Sequence, residues 1–313
     1  MKTISQYAPL QKTVSAIKLP GTECLIKPQV SLSHLTSLRV GGLAQWYVAP
    51  SNWDELEATL EWYQSQDIPL TVLGAGSNLL VSDRGIPGLT IGTRHLRYRK
   101  FDPETGTITV GAGEPIARLA WLAAKQGWQG LEWAVGIPGT VGGAVVMNAG
   151  AHNKCIADLL VNTVVVSPEQ EIETLAVDRL NYQYRSSILQ GDRRLVVEAT
   201  FKLEPGFSKA ESIATTTKNL HDRRSKQPYD RPSCGSVFRN PQDYAAGWLI
   251  EQIGLKGYQI GGAIVSQRHA NFILNCGNAT ADDILKLIHH VQERVEDRWL
   301  LKLHPEVKLV GEF

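Results

Sequence analysis

The chain has 313 residues, 43% hydrophobic and 20% charged, which is long enough for two or three packed cores and too apolar for disorder. A formal charge of +1 excludes the broad basic excess of a dedicated nucleic-acid binder. No apolar run approaches the ~20 residues that span a bilayer, and the opening Met1-Lys2-Thr3-Ile4-Ser5-Gln6-Tyr7 carries no signal-peptide block, so a cytoplasmic protein with neither membrane nor nucleic-acid partners is expected.

Residues 1–33 show no sustained period and read as an N-terminal extension. Patterning begins at Thr36-Ser37-Leu38-Arg39-Val40-Gly41-Gly42 and a strand at Trp46-Tyr47-Val48. Ser51-Asn52-Trp53-Asp54 reads as a capping box, after which Trp53, Leu56, Leu60 and Tyr63 recur at helical spacing. A strand at Leu70–Leu73 runs into the turn Gly74-Ala75-Gly76-Ser77-Asn78. The same grammar returns at strand Thr107–Val110, turn Gly111-Ala112-Gly113 and a helix from Glu114 through Ile116, Leu119, Ala120 and Ala123. A glycine-dense stretch, Gly136 to Ala144 and on to Gly150, supplies small side chains for a close approach of backbone to a ligand. Strands are expected at 161–166 and 195–203.

Pro205-Gly206 marks a boundary, followed by a helix from Ser208 and a polar, basic loop from His221 to Pro232. A long helix opens with the box Thr280-Ala281-Asp282-Asp283 and carries Ile284, Leu287, Ile288, Val291 and Val295 on one face. His304 to Val310 forms a terminal strand. Cys24, Cys155, Cys234 and Cys276 are far apart and read as reduced thiols. His289 and His290 are neighbours on a helix and point about 100° apart, so no metal site is expected.

The turn at Gly74–Asn78 presents successive backbone N–H groups to an anion, although a plain turn is the commoner meaning of such a segment. Neither it nor Gly111–Gly113 completes a dinucleotide fingerprint, because Leu79 and Ile116 stand where the third glycine belongs. An NAD-type Rossmann domain is therefore disfavoured, and several glycine turns around one pyrophosphate suit FAD better. Ser236 lacks the Gly-x-Ser-x-Gly elbow of a hydrolase and in isolation is a turn serine. Arg185 could pair with a surface carboxylate, and Glu306 on a strand would ordinarily face solvent. Arg223, Arg224 and Lys226 fit a solvated face and a diphosphate clamp equally well.

Taken in order, Arg39–Gly42, Leu73–Asp83 with Gly85 and Gly88, Gly136–Ala144 with Asn148-Ala149-Gly150, Tyr184–Ser187, Gly235–Pro241, Gly257–Ala263 and Pro305-Glu306-Val307 closely resemble the UDP-N-acetylenolpyruvoylglucosamine reductase family of peptidoglycan precursor enzymes. The resemblance spans roughly residues 34–310 and implies an α+β fold. It implies an FAD-binding domain of the p-cresol methylhydroxylase type at 34–205, in two α+β subdomains (about 34–93 and 94–205). An α+β substrate-binding domain then occupies 206–303, and a C-terminal strand at 304–313 carries Glu306.

The implied activity is NADPH-dependent reduction of the enolpyruvyl group of UDP-N-acetylglucosamine enolpyruvate to UDP-N-acetylmuramate. FAD is expected to be noncovalent, because Ser77 and Asn78 stand where covalent flavoenzymes of this fold carry a histidine. The catalytic trio maps onto Arg185, Ser236 and Glu306: Arg185 meets developing negative charge, Ser236 donates the proton, and Glu306 orients or polarises the intermediate. The implied cofactor contacts are Arg39, Gly74, Ala75, Gly76, Ser77, Asn78, Ser82, Gly111, Gly113, Gly136, Ile137, Pro138, Thr140, Gly142 and Gly143. The implied substrate contacts are Tyr184, Arg223, Arg224, Asn240 and His269, with Arg224 the leading diphosphate ligand. The chain departs from the family at His152-Asn153-Lys154 and at Cys234, and it lacks the insertion that closes over substrate in one branch. The alternatives are another flavin oxidoreductase of this fold and a non-catalytic nucleotide-sugar binding protein.

Overall fold

The computed structural model describes residues 15–313. The first unit contains β1 (Ile17–Lys18), β2 (Leu25–Ser31), β3 (Leu43–Val48), α1 (Trp53–Gln64), β4 (Leu70–Leu73), β5 (Leu79–Val81) and β6 (Ile86–Gly92). Its sheet has the order β1-β2-β3-β6-β4, with β6 parallel to both β3 and β4. Asn52 caps α1, accepting from the Glu55 N–H at 2.9 Å, while the Glu55 carboxylate reaches back to Ser51. The cap is thus one residue later than the Ser51 box implies. Leu56, Leu60 and Tyr63 then bury one face of α1 against the sheet.

The extension expected over residues 1–33 is corrected by this sheet. Residues 1–14 lie outside the described residues, but β1 and β2 form its edge, and Leu19, Ile26 and Leu32 are fully buried. Pro28 and the left-handed Gln29 (φ +53) interrupt the period-two pattern, which hides the strand from sequence.

The second unit holds β7 (Arg99–Asp102), β8 (Thr107–Gly111), α2 (Ile116–Gln126), a 3-10 turn (Glu132–Gly136), α3 (Val141–Met147), the hairpin β9 (Gly150–Ala151) and β10 (Lys154–Cys155), β11 (Leu160–Val166), β12 (Ile172–Ala176) and β13 (Leu195–Lys202). Its five long strands form an antiparallel sheet in the order β12-β11-β13-β8-β7. Helix α3 was not expected inside the glycine-dense stretch. It exists because Thr140 caps it and Val141, Ala144 and Val145 bury one stripe, each apolar side chain contributing on the order of 1–3 kcal/mol. His152 and Asn153 (φ +53 and +59) make the two-residue turn of the β9–β10 hairpin, the left-handed pair that such a turn needs.

Helix α4 (Lys209–Lys226) corrects two expectations. The basic stretch from His221 is not a loop but the end of this helix. The helix itself packs on α2 and the 3-10 turn of the second unit, placing Leu220 against that core rather than opening the last one.

The last unit contains α5 (Ala246–Gln252), β14 (Gln259–Ile260), β15 (Ala263–Val265), β16 (Ile273–Asn275), α6 (Ala281–Trp299) and β17 (Lys308–Val310). Thr280 and Asp283 complete the expected capping box, and Ile284, Leu287, Ile288, Val291 and Val295 are buried. Asp83 from the first unit also accepts the Ala281 and Asp282 N–H groups, at 2.9 and 3.0 Å, where a carboxylate at a helix start contributes about 0.3–1 kcal/mol. β17 is shorter than the strand expected at 304–310. It pairs in parallel with β5, so the last residues of the site return to the first unit. Among the described residues no helix is long and apolar enough to cross a membrane, and no cluster of His, Cys, Asp or Glu has the makings of a metal centre.

Candidate active site

A cavity of about 1170 Å³ lies where the three units meet, above the ~300–1,000 Å³ usual for one small-molecule site. Gly74, Ala75, Gly76, Ser77 and Asn78 line it on one side, with Ile137, Pro138, Thr140, Gly142 and Gly143 beside them. The two segments also hold each other. The Ser77 hydroxyl donates to the Pro138 carbonyl at 3.2 Å, and a Cβ on Gly74 would stand 2.8 Å from the Thr140 hydroxyl. Gly76 is left-handed (φ +64), and an added side chain would run into the Leu35 carbonyl and Thr36. Its glycine is demanded by neighbouring backbone. At Gly143, by contrast, an added Cβ would meet only the Thr140 hydroxyl, at 3.6 Å, so the open cavity is its neighbour.

Arg39, Ser82, Gly111, Gly113 and Gly136 do not line the cavity. Arg39 is exposed at a left-handed position, and the buried Ser82 hydroxyl donates to the Glu312 carbonyl. Gly111 and Gly113 admit the backbone of Leu96 and Thr93, respectively, and Gly136 makes room for the Arg223 side chain. Sequence reveals a close approach at these glycines without revealing that the visitor is protein.

Arg185, Ser236 and Glu306, far apart in the chain, line the same cavity. Arg185, itself left-handed (φ +54), donates through Nε to Glu306 Oε1 at 3.0 Å and through Nη2 to the Gly150 carbonyl at 2.7 Å. The β9–β10 hairpin therefore serves to aim Gly150 at the guanidinium. Burial pushes the Glu306 carboxyl above its ordinary range, against the opposing pull of Arg185, Arg239 and Lys308. Burial also lowers the Lys308 ammonium, with Arg239 acting in the same direction and Glu306 against it.

Ser236 lies in the segment Cys234–Phe238, which is bonded on both sides. Val237 O accepts from the Glu306 N–H at 2.7 Å, and Val237 N donates to the Asn271 carbonyl at 2.9 Å. Asn78 Nδ2 donates to the Glu306 carbonyl at 3.0 Å, so the glycine turn and Glu306 are joined directly. Burial pushes the Cys234 thiol up to about 12, leaving an unreactive neutral group beside the serine.

Tyr184, Arg223 and Asn240 also line the cavity, but Arg224 and His269 do not. The Tyr184 ring lies 5.0 Å from the Arg185 guanidinium, and Asn240 Oδ1 accepts from the Ala246 N–H at the start of α5. Because residues 223–226 are helical, Arg223 and Lys226 share the cavity face, while Arg224 turns about 100° away towards Tyr229. Arg223 Nε is buried with no hydrogen-bond partner among the described residues. His269 is partly buried and turned inward, its Nδ1 accepting the Asn271 N–H at 3.2 Å. Lys226 of the basic run lines the cavity, and so do Lys308 and Asn271, which the sequence reading does not select. Of these only Lys226 carried a signal, as part of the basic run.

The profile described as the UDP-N-acetylenolpyruvoylglucosamine reductase C-terminal domain matches residues 227–310, and that of an FAD binding domain matches residues 44–176. The chain is 62% identical over 297 residues to the UDP-N-acetylenolpyruvoylglucosamine reductase of Trichormus variabilis, covering 95% of this chain and 90% of that one. It is 59% identical over 308 residues to the enzyme of the same name from Synechocystis, with 97% of each chain covered. Among solved structures, that of UDP-N-acetylenolpyruvylglucosamine reductase from Thermus caldophilus superposes with a TM-score of 0.78 at 35% identity, over 92% of this chain and 100% of that one.

Proposed function

The chain belongs to the UDP-N-acetylenolpyruvoylglucosamine reductase family, and from that premise we propose that Arg185, Ser236 and Glu306 carry out the substrate half of its reaction. It is an FAD-dependent oxidoreductase of peptidoglycan precursor synthesis, acting on UDP-N-acetylenolpyruvoylglucosamine. The cavity fits the cofactor: its volume admits a dinucleotide beside a nucleotide sugar, and Gly143 leaves its side open to close approach. Gly74–Asn78 and Ile137–Gly143 would hold it there. When bound, FAD supplies the hydride, which in this reading originates from NADPH.

The chain's own residues then manage charge and the proton. Hydride addition to the terminal carbon of the enol ether builds negative charge on the adjacent carbon and its carboxylate. Arg185 meets that charge, because a guanidinium stays protonated at working pH and Nη1 is the nitrogen not engaged by Glu306 or Gly150. Glu306 orients Arg185 and, through its backbone bond to Val237, fixes the register of the serine loop. Ser236 donates the proton; a hydroxyl is a weak acid, but the acceptor is a strong base. Arg223 and Lys226 bind the substrate diphosphate in place of Arg224, with Tyr184 and Asn240 beside them. In this reading the first two units form the cofactor domain, the substrate domain begins after α4, and the protein works in the cytoplasm on small-molecule substrates.

The observation that carries the reading is the 3.0 Å Arg185–Glu306 pair in one cavity with Ser236. Stopped-flow measurement of Ser236→Ala tests it. Flavin reduction by NADPH is expected at a near-normal rate, and reoxidation by the enolpyruvyl substrate about 10²-fold slower or more. Equal slowing of both steps, or of neither, would reduce Ser236 to a turn residue.

A further inference from the structure

The strongest unassigned feature is the amide of Asn271. This side chain is buried and makes both bonds of a two-point clamp on one peptide neighbour: Oδ1 accepts from the Phe238 N–H at 2.9 Å, and Nδ2 donates to the Phe238 carbonyl at 2.8 Å. Its main-chain carbonyl adds a third bond, from the Val237 N–H at 2.9 Å. Ser236 immediately precedes this clamped pair, and Gly235 before it is left-handed (φ +81) with open space where a side chain would stand. On the N-terminal side Cys234 is buried in the core and Pro232 O accepts from the Asn275 N–H at 2.9 Å, so the bonds nearest to Ser236 are those on Val237 and Phe238.

We propose that Asn271 is a positioning residue for proton donation: its amide sets the Phe238 peptide and thereby holds the Ser236 hydroxyl in register with Glu306. The inference rests on the reading of Ser236 as donor. The other clamp on the loop is Val237 O, which accepts from the Glu306 and Val307 N–H groups at 2.7 and 3.3 Å. Donor and orienting carboxylate are thus tied to one short segment, and among the described residues Asn271 supplies the other hydrogen bonds that hold Val237 and Phe238. An amide suits the task because its carbonyl accepts and its NH2 donates, which matches the N–H and C=O of a single residue. Leu or Ala would leave two buried backbone groups unpaired.

Asn271→Asp and Asn271→Ser, assayed as holoenzymes by stopped flow over pH 5.5–8.5, test the proposal. An ionised carboxylate keeps the acceptor for the Phe238 N–H but loses the donor to its carbonyl; a protonated one restores both. In Asn271→Asp, reoxidation by the enolpyruvyl substrate is expected to fall about 10–100-fold at pH 8 and to recover progressively towards low pH, after division by the wild-type profile. That division removes the titration of the neighbouring ionisable groups, which are His269 on the same turn, Glu251 and Lys256 beside it, and Glu306, Arg239, Lys308 and Cys234 around the facing loop. Asn271→Ser is expected to be slow at every pH. In both variants flavin reduction by NADPH stays within about twofold of wild type.

A flat normalised profile for Asn271→Asp would overturn the proposal, as would equal slowing of both half-reactions. Loss of folded, flavin-retaining protein in both variants would overturn it too, by assigning the clamp to the fold. Ser236→Ala in the same assay separates this inference from its premise. Normal reoxidation there removes the donor, whereas slow reoxidation there with normal Asn271 variants removes only the positioning role.

Discussion

At the glycine turns, Gly74–Asn78 and Pro138–Gly143 lean on each other through the Ser77 and Thr140 hydroxyls, and Gly76 packs on the backbone of Leu35 and Thr36, so that this wall is shaped by close packing of neighbouring turns. At the serine loop, Cys234–Phe238 is held by bonds from residues remote in sequence: Asn271, Glu306 and, one step removed, Asn78. At Gly76 the first wall admits nothing larger than glycine, whereas Gly143 faces open space; the second wall holds its shape through particular hydrogen bonds. Substitutions on the first wall are accordingly expected to act through folding or through excluded volume, and those on the second through one half-reaction.

The sharpest contrast lies within the first wall. Gly76→Val is expected to cost roughly 3 kcal/mol or more, because a β-branched side chain must take φ +64 and displace the Leu35 carbonyl. Flavin loss in that variant would follow from the damaged turn and says little about contact with the cofactor. Gly143→Ala is the cleaner probe. The helix gains up to about 1 kcal/mol from alanine, so the melting temperature is expected to hold while the new methyl group weakens flavin retention about tenfold. Equal flavin occupancy in Gly143→Ala would move the cofactor away from α3.

Next in size is the basic face. Arg223→Ala is expected to raise the KM for the nucleotide sugar about tenfold, and Arg224→Ala by less than twofold, with flavin reduction by NADPH unchanged in both. Reversed magnitudes would show that the end of α4 unwinds when substrate binds.

The smallest effect belongs to His269. Burial holds its imidazole below the ordinary histidine range, with Lys256 acting in the same direction and Glu251 opposing. As pH falls past about 6.5 the unfolded chain takes the proton before the folded chain does. Stability is therefore expected to decline from there down to the folded-state value and to level off below it. His269→Gln, which does not titrate, is expected to flatten this part of a plot of melting temperature against pH. An unchanged slope would assign the acid sensitivity to other groups.

Sequence made the two walls unequally legible. Short-range grammar sufficed for α1, α6 and the strands beside the glycine turns, because caps and apolar spacing act within a few residues. It does not tell the neighbours of Gly111 and Gly113, the backbone of Leu96 and Thr93, from a ligand, since a glycine records that something comes close without recording what. It also treated the end of α4 as a loop because the sequence there is polar, although Arg223 and Lys226 gain their common direction only from being helical. Arg185, Ser236 and Glu306 stood out through family resemblance, each being unremarkable in its own neighbourhood. Asn271 could not be found in this way, because a clamping amide carries no local pattern and its partner lies 33 residues earlier.

The parallel pairing of β17 with β5 also dictates when the pocket can be finished during translation. Strands β4 and β5 and the glycine turn between them leave the ribosome early. Glu306, by contrast, is made after both Arg185 and Ser236. At roughly 5–20 residues per second, several seconds separate synthesis of the Ser236 loop from that of Glu306, and until then Arg185 has no carboxylate to orient it. The catalytic trio is thereby completed only after the glycine turn and the serine loop have both been made.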